Sequence, residues 1–250
     1  MSVQGTSHAR SGQPCQDAQC WEVWGENTLV AAVADGAGSA ALAEVGAAVA
    51  ANAAVAAFLS LASLSKEGVP SNDKELRSHL LYAMKAAQRA VKNEAAAREV
   101  PALELATTLI LVVATPDLVA AAQVGDGAAV VDDGNGEIIS LTVPHWGQYI
   151  NETTFLNSRG ALKKAQINVW RGTTRHVAAF TDGLQSVSLK MPEGTPHLPF
   201  FAPLFSFVSE VTDSIDAHRQ LERFMRSRRV ADSTGDDLTL LLFGLVESCS

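Results

Sequence analysis

An unbroken apolar run over residues 29–34, LVAAVA, carries no charge and shows no polar face, the pattern of a buried strand. It ends in Asp35, with Gly36 and Gly38 close behind. A short polar lead precedes QCWEVW, which reads as another strand with Asp17 just ahead of it. The stretch 41–64 is mainly alanine and of high helix propensity, with small side chains that permit close packing on a sheet. After a connector at 66–72, residues 73–98 place Leu76, Leu80, Met84, Ala87 and Val91 on one helical face. From Leu103 the period shortens to that of several strands with turns at 115–117, 125–127 and 132–136, expected as an antiparallel meander. Residues 142–164 are polar and irregular, and strand patterns return at 166–170 and 176–180, the latter running into Thr-Asp-Gly-Leu. Residues 184–210, rich in proline and phenylalanine, are expected as a loop or flap, and 213–229 as a helix with a basic face. DSTGDDLTLLLFGLV then gives a closing strand with Asp236 and Asp237 at its mouth.

Strands, two long helices and more strands, in that order, argue for an α+β layered fold rather than alternating βαβ units. With no fixed-period repeat, low-complexity tail or proline-rich linker, residues 1–250 are expected to form one domain.

The formal net charge of −8 excludes a general affinity for nucleic acid or anionic membrane and suits a metal–carboxylate site. Cys15, Cys20 and Cys249 form neither an even disulfide framework nor a paired zinc motif, which points to a reducing, cytoplasmic compartment. The first residues lack the layout of a signal peptide. The apolar stretch 40–64 invites reading as a membrane span, but it is mostly alanine, interrupted by Glu44, Asn52 and Ser60, so a buried helix of a soluble protein is expected.

The chemistry lies in a recurring event. An aspartate stands at or near the end of a strand at Asp35, Asp126, Asp182 and Asp236, and Asp17 stands just before one. Each alone reads equally as an Asp-Gly turn residue. Gathered at one end of a sheet, several carboxylates repel unless a cation neutralises them, and oxygen-only ligands without a His or Cys cluster select Mg²⁺ or Mn²⁺.

The series QDA at 16–18, VADGAGSA at 33–40, ATTL at 106–109, VGDG at 124–127, FTDGL at 180–184 and GDDLTLLLF at 235–243 resembles the PPM family, the metal-dependent type 2C serine/threonine protein phosphatases. It is most similar to the bacterial branch, in which Gln precedes the first Asp and an NET-F motif, here 151–155, lies in the middle. The resemblance implies a four-layer αββα sandwich of two antiparallel sheets flanked by helices, with two Mg²⁺ or Mn²⁺ ions in the cleft. It implies that Asp35 bridges the metals, that the Gly36 carbonyl binds one, and that Asp182 and Asp236 complete the first ion's ligands. Asp17 would act near the second ion through water, and Asp126 would help hold a third, weaker ion in members that have one. A water between the metals then attacks phosphorus in line, with no covalent phosphoenzyme.

Three departures stand out. Gln16 replaces the usual Glu, which weakens the second metal site or favours manganese. Ala37 replaces a histidine that is a candidate general acid, leaving His8 as a candidate. Gly12 replaces the phosphate-binding Arg, leaving Arg10 as the nearest basic group. Asp237 stands where an Asn is usual. Asn151 and Glu152 read equally as a substrate-side pair or a capped turn, and the Thr107 and Thr108 hydroxyls are expected only to satisfy local backbone. The expected partner is a phosphorylated protein substrate, with a cognate serine/threonine kinase beside it, and the protein itself is expected to be a monomer. The competing readings are a weakened relative that binds phosphoproteins without turnover, a hydrolase of small phosphate esters, and a structural domain whose aspartates are only turn residues.

Overall fold

Leu29, Ala31 and Val33 pack to one side of their strand and Val30, Ala32 and Ala34 to the other, and both sets are buried. Burial on two faces is why the run shows no polar alternation. The structure is a computed structural model describing residues 1–64, 68–144 and 153–245, so Asn151, Glu152, Cys249 and part of the 66–72 connector lie outside the described residues.

The chain begins with β1 (Ser2–Val3), α1 (Thr6–Ser11), β2 (Asp17–Trp24), β3 (Thr28–Asp35), α2 (Ala43–Leu64) and α3 (Asp73–Ala97). β4 (Leu109–Thr115), β5 (Leu118–Val124), β6 (Ala128–Asp132), β7 (Ile138–Thr142), β8 (Gln166–Arg171) and β9 (His176–Phe180) follow. The remainder is α4 (Gln185–Ser188), β10 (Leu189–Lys190), β11 (Thr195–Pro196), α5 (Leu198–Glu210), α6 (Ser214–Met225), α7 (Arg228–Ala231) and β12 (Leu238–Gly244). One antiparallel sheet runs β2-β3-β4-β5-β8, a second runs β1-β12-β9-β6-β7, and β10 and β11 form a small hairpin.

Three apolar layers bind four structural ones. Leu29, Val33, Val112 and Val119 meet Val131, Val177 and Leu241 between the sheets. Behind the first sheet, Val30, Leu111 and Ala120 pack on α2 and α3; behind the second, Val130, Phe180 and Leu240 pack on Phe201 and Met225 of α5 and α6. Leu76, Leu80, Met84, Ala87 and Val91 are fully buried along α3, as their spacing predicts. The Asn72 side chain caps α3 by accepting from the Lys74 and Glu75 amides. α2 is long and apolar enough to cross a membrane by length and composition, and its buried alanines pack against α3 and the first sheet.

Three expectations are corrected. The meander does not continue through 125–127: β5 stays in the first sheet and β6 belongs to the second. The turn between them crosses the sandwich. Gly125 takes φ +118, where a Cβ would lie 2.5 Å from Thr108 Cβ, and the buried Gln123 amide donates to the Gly125, Gly127 and Val143 carbonyls. Periodicity marks a strand's two faces but not its sheet. The stretch 184–210 holds α4, the β10–β11 hairpin and α5 rather than only loop, because Phe200, Phe201, Leu204 and Phe205 bury one face of a helix despite Pro203 inside it. The polar lead holds β1 and α1, too short to give a periodic signal.

Candidate metal centre

Strand pairing alone brings the first two carboxylates together. Asp17, opening β2, pairs directly with Asp35, closing β3. Like charges opposite one another destabilise a sheet, so this register needs a compensating interaction. Neighbouring groups pin the backbone: the Asp35 amide donates to Thr108 Oγ1 at 3.0 Å, and its carbonyl accepts from the Thr108 amide at 2.8 Å and Thr107 Oγ1 at 2.9 Å. Only the Thr107 bond to the Thr108 carbonyl is local as expected; both hydroxyls also hold the backbone of Asp35 in the neighbouring strand. Asp17, 8% exposed, accepts from Thr181 Oγ1 at 2.8 Å, a bond that crosses from one sheet to the other.

The other carboxylates arrive from the second sheet and the crossing turn. Asp182 opens a 3₁₀ turn directly after β9, and Asp236 sits ahead of β12, antiparallel neighbour of β9. Asp126 lies in the crossing turn, where its side chain accepts from Thr153 Oγ1 at 2.6 Å and its backbone carbonyl from Gln185 Nε2 at 2.5 Å. Asp35, Asp126 and Asp182 each offer a carboxylate oxygen within 4.8 Å of the others. Asp236 is exposed at the rim of the same cleft, about 470 Å³ in volume, whose lining also includes His8, Gly36 and Phe155.

Electrostatics give the cluster its meaning. Burial, reinforced by Asp17 and Asp182, pushes Asp35 well above the usual carboxylate range. Burial raises Asp182 to about 7, with Asp126 and Asp236 adding to it, and raises Asp17 to about 7 against the Thr181 hydrogen bond. Asp126 is raised as well, chiefly by burial, and its Oδ1 is buried with no hydrogen-bond partner. Convergent half-buried carboxylates, with an Asp126 oxygen left over, fit hard divalent cations. His and Cys ligands are absent from this group, so the donors suit Mg²⁺ or Mn²⁺ rather than zinc.

The N-terminal segment completes the cleft. Asp237, 2% exposed, accepts from the Gly5 amide at 2.6 Å and the Gln16 amide at 2.6 Å, and its Oδ2 lies 2.9 Å from His8 Nδ1. The residue read as a simple Asn substitute therefore ties α1 and the start of β2 to the closing strand. His8 lines the cleft, whereas Arg10 is exposed on α1 and does not line it. Gly12 ends α1 in the left-handed conformation, φ +70. Gln16 is buried with Oε1 unpartnered, and Ala37 packs with Ala40, Ala43 and Ala106. Thr153, Thr181 and Gln185, which support distant aspartates, and Gln123, which holds the crossing turn, escaped sequence reading, since such a hydroxyl or amide leaves no local pattern.

Carboxylates drawn from two sheets to the mouth of a sandwich make a centre for divalent cations, the equipment of a metal-dependent hydrolase. The protein phosphatase 2C family profile matches residues 4–226, and the chain belongs to that family. It is 36% identical over 247 residues to serine/threonine-protein phosphatase 3 of Escherichia coli K12, covering 96% of this chain and 95% of the relative. The serine/threonine phosphatase of S. agalactiae superposes with a TM-score of 0.65 at 15% identity, covering 98% of this chain and 97% of that one. Stp1 from Staphylococcus aureus gives 0.64 at 15% identity, covering 99% and 94%. These structures share the α+β two-sheet fold. Phosphatases of the family use Mn²⁺ or Mg²⁺.

Proposed function

We infer that the protein is a serine/threonine protein phosphatase that hydrolyses phosphoserine and phosphothreonine with Mn²⁺ or Mg²⁺. The carrying observation is the convergence of Asp35, Asp126 and Asp182 within 4.8 Å in an open cleft.

Asp35, Asp182, Asp236 and the Gly36 carbonyl would hold the ions, with Asp17 acting through water and Asp126 serving a third, weaker site. When bound, the ions supply the charge that lowers the pKa of water and neutralises phosphoryl oxygens. The chain does the rest. Thr107 and Thr108 fix the Asp35 backbone, Thr181 orients Asp17, and Thr153 orients Asp126. Asp237 engages His8 Nδ1, which leaves Nε2 as the ring's remaining polar atom, able to give a proton to the departing serine or threonine oxygen. Arg10 lies outside the cleft lining, and this reading gives it no contact with phosphate. Residues 1–250 act as one domain, because the cleft draws on both sheets. The cytoplasmic location and the monomer expected from sequence belong to the same reading, as does a cognate kinase.

The test is phosphate release from a phosphothreonine peptide with Mn²⁺, Mg²⁺ or chelator, for wild type, Asp35→Asn and Asp182→Asn. Metal-dependent turnover that falls at least ~10²-fold in both variants is expected. A wild type inactive at millimolar Mn²⁺ that still binds the ion overturns the reading in favour of a phosphoprotein-binding relative.

A further inference from the structure

On the far side of the second sheet, α5 and α6 leave an apolar groove between them. Pro199, Pro203 and Phe207 of α5 form one wall and Leu221 and Phe224 of α6 the other, around a cavity of about 220 Å³. Its floor is rigid: the Phe200 ring packs on Phe224 and Phe201 at 5.8 and 5.1 Å between centroids. Arg229 of α7 also lines it.

The charge beside the groove runs against that of the whole. The chain carries −8, yet residues 217–231 hold five arginines and a single glutamate, Glu222, already paired with Arg226 at 2.9 Å; of the flanking acids, Asp213 caps α6, Asp216 is bonded to Gln220 and Asp232 follows α7. Arg223, Arg228 and Arg229 are exposed, and no acidic partner is found for them among the described residues. A solvated basic face needs no apolar slot, and an apolar slot covered by a neutral partner needs no unpaired arginines. Together they select a ligand with apolar anchors and negative flanks. The surface is also tied to the cleft, since α7 leads through residues 232–235 to Asp236, with Thr234 and Gly235 lining the cleft itself.

We propose that the α5–α6 groove is a docking site for an acidic segment of the phosphoprotein substrate, whose apolar side chains enter the slot while its carboxylates meet Arg223, Arg228 and Arg229. This rests on the phosphatase reading above for the identity of the partner, not for the binding itself. Docking there leaves the phosphorylated residue to be handled in the cleft and lowers KM rather than raising kcat.

The probe is a fluorescein-labelled peptide of repeated Glu-Glu-Leu-Phe units, followed by anisotropy at low and high salt. Peptides with Lys for Glu, or Ser for Leu and Phe, are the controls, and Arg223→Glu/Arg229→Glu changes only exposed side chains. Expected are binding of the acidic apolar peptide alone, weakening at high salt, and a loss of about tenfold or more in the double variant. Appending the segment to a phosphothreonine peptide should lower KM for wild type and not for the variant, while turnover of p-nitrophenyl phosphate is the same in both. Equal binding of the acidic and basic peptides, or unchanged binding by the variant, overturns the proposal. So does light scattering that shows a dimer of this chain dissolved by the double variant. Loss of p-nitrophenyl phosphate turnover in wild type would instead strike the phosphatase reading and leave the anisotropy result standing.

Discussion

Asp17 and Asp35 face each other across two strands, and Asp182 crowds the same space, so the metal-free protein holds an arrangement its own charges oppose. In Asp17 and Asp182 the folded state keeps protons up to about pH 7 that the unfolded chain releases near the ordinary value of 3.8. Raised folded-state values mean that stability is greatest below the unfolded pKa and falls as pH rises through that window, levelling off above about pH 7. Thermal melting in chelator should show this decline, and the gain in Tm from Mn²⁺ should be larger at about pH 8 than at pH 5.5. Asp35→Asn removes one repelling charge, so its melting point in chelator at about pH 8 should exceed that of wild type by the equivalent of ~1 kcal/mol or more, while the Mn²⁺ gain largely disappears. A lower melting point for the variant in chelator would contradict the electrostatic account. Asp237 is the opposite case: it receives two backbone amides and His8, so Asp237→Asn gives up charged hydrogen bonds worth roughly 1.5–3 kcal/mol each at most. Loss of stability should come with faster amide exchange at residues 5–16; unchanged exchange there would deny the anchoring role.

At the scale of elements, the glycine behind Asp35 sets how closely α2 approaches β3. A Cβ on Gly36 would stand 2.6 Å from the Ala43 carbonyl oxygen, the first residue of α2, so Gly36→Ala has to push the helix start away from the strand end. A drop in stability of about 2–4 kcal/mol is expected by denaturant titration, with weaker Mn²⁺ stabilisation than wild type. On the other face, His176 joins Asp132 and Ser209 at 2.7 Å each and stacks on Phe205 at 4.9 Å. The order is that of a nucleophile, base and acid. Ser209, however, lies in the last turn of a helix whose amides point back along its own axis, so the series serves to hold α5 against β9. Helix α3 was legible from its period, α2 from its alanine content and length, and β3 from an unbroken apolar run too short for a helix. α1 and α5 were not: the first is too short to show a period, and the second carries the proline and phenylalanine that usually mark irregular chain.

Across the whole molecule, the aspartates were legible one at a time as strand ends, but their meeting depends on topology. Asp17 and Asp35 come from the first sheet, Asp182 and Asp236 from the second, and Asp126 from the turn that crosses between them. Reading that turn as one more hairpin let the pattern gather the carboxylates at one end of a single sheet; the family resemblance placed them in a cleft between two. A ligand held from both sheets stabilises the sandwich as a unit, so saturating Mn²⁺ should slow proteolysis in both sheets together. Protection confined to one sheet would show that the ion is held from one side.

The pairing of Ser2–Val3 with β12, and of the Gly5 and Gln16 amides with Asp237, has a consequence for synthesis. Residues 2–16 cannot pair until residues 237–239, far downstream, have been made. β12 lies between β1 and β9 in the sheet, and Asp236 is made only just ahead of it. A nascent chain still short of residues 234–244 therefore lacks both a wall of the cleft and one of its carboxylates, and its N-terminal segment has nothing to close upon.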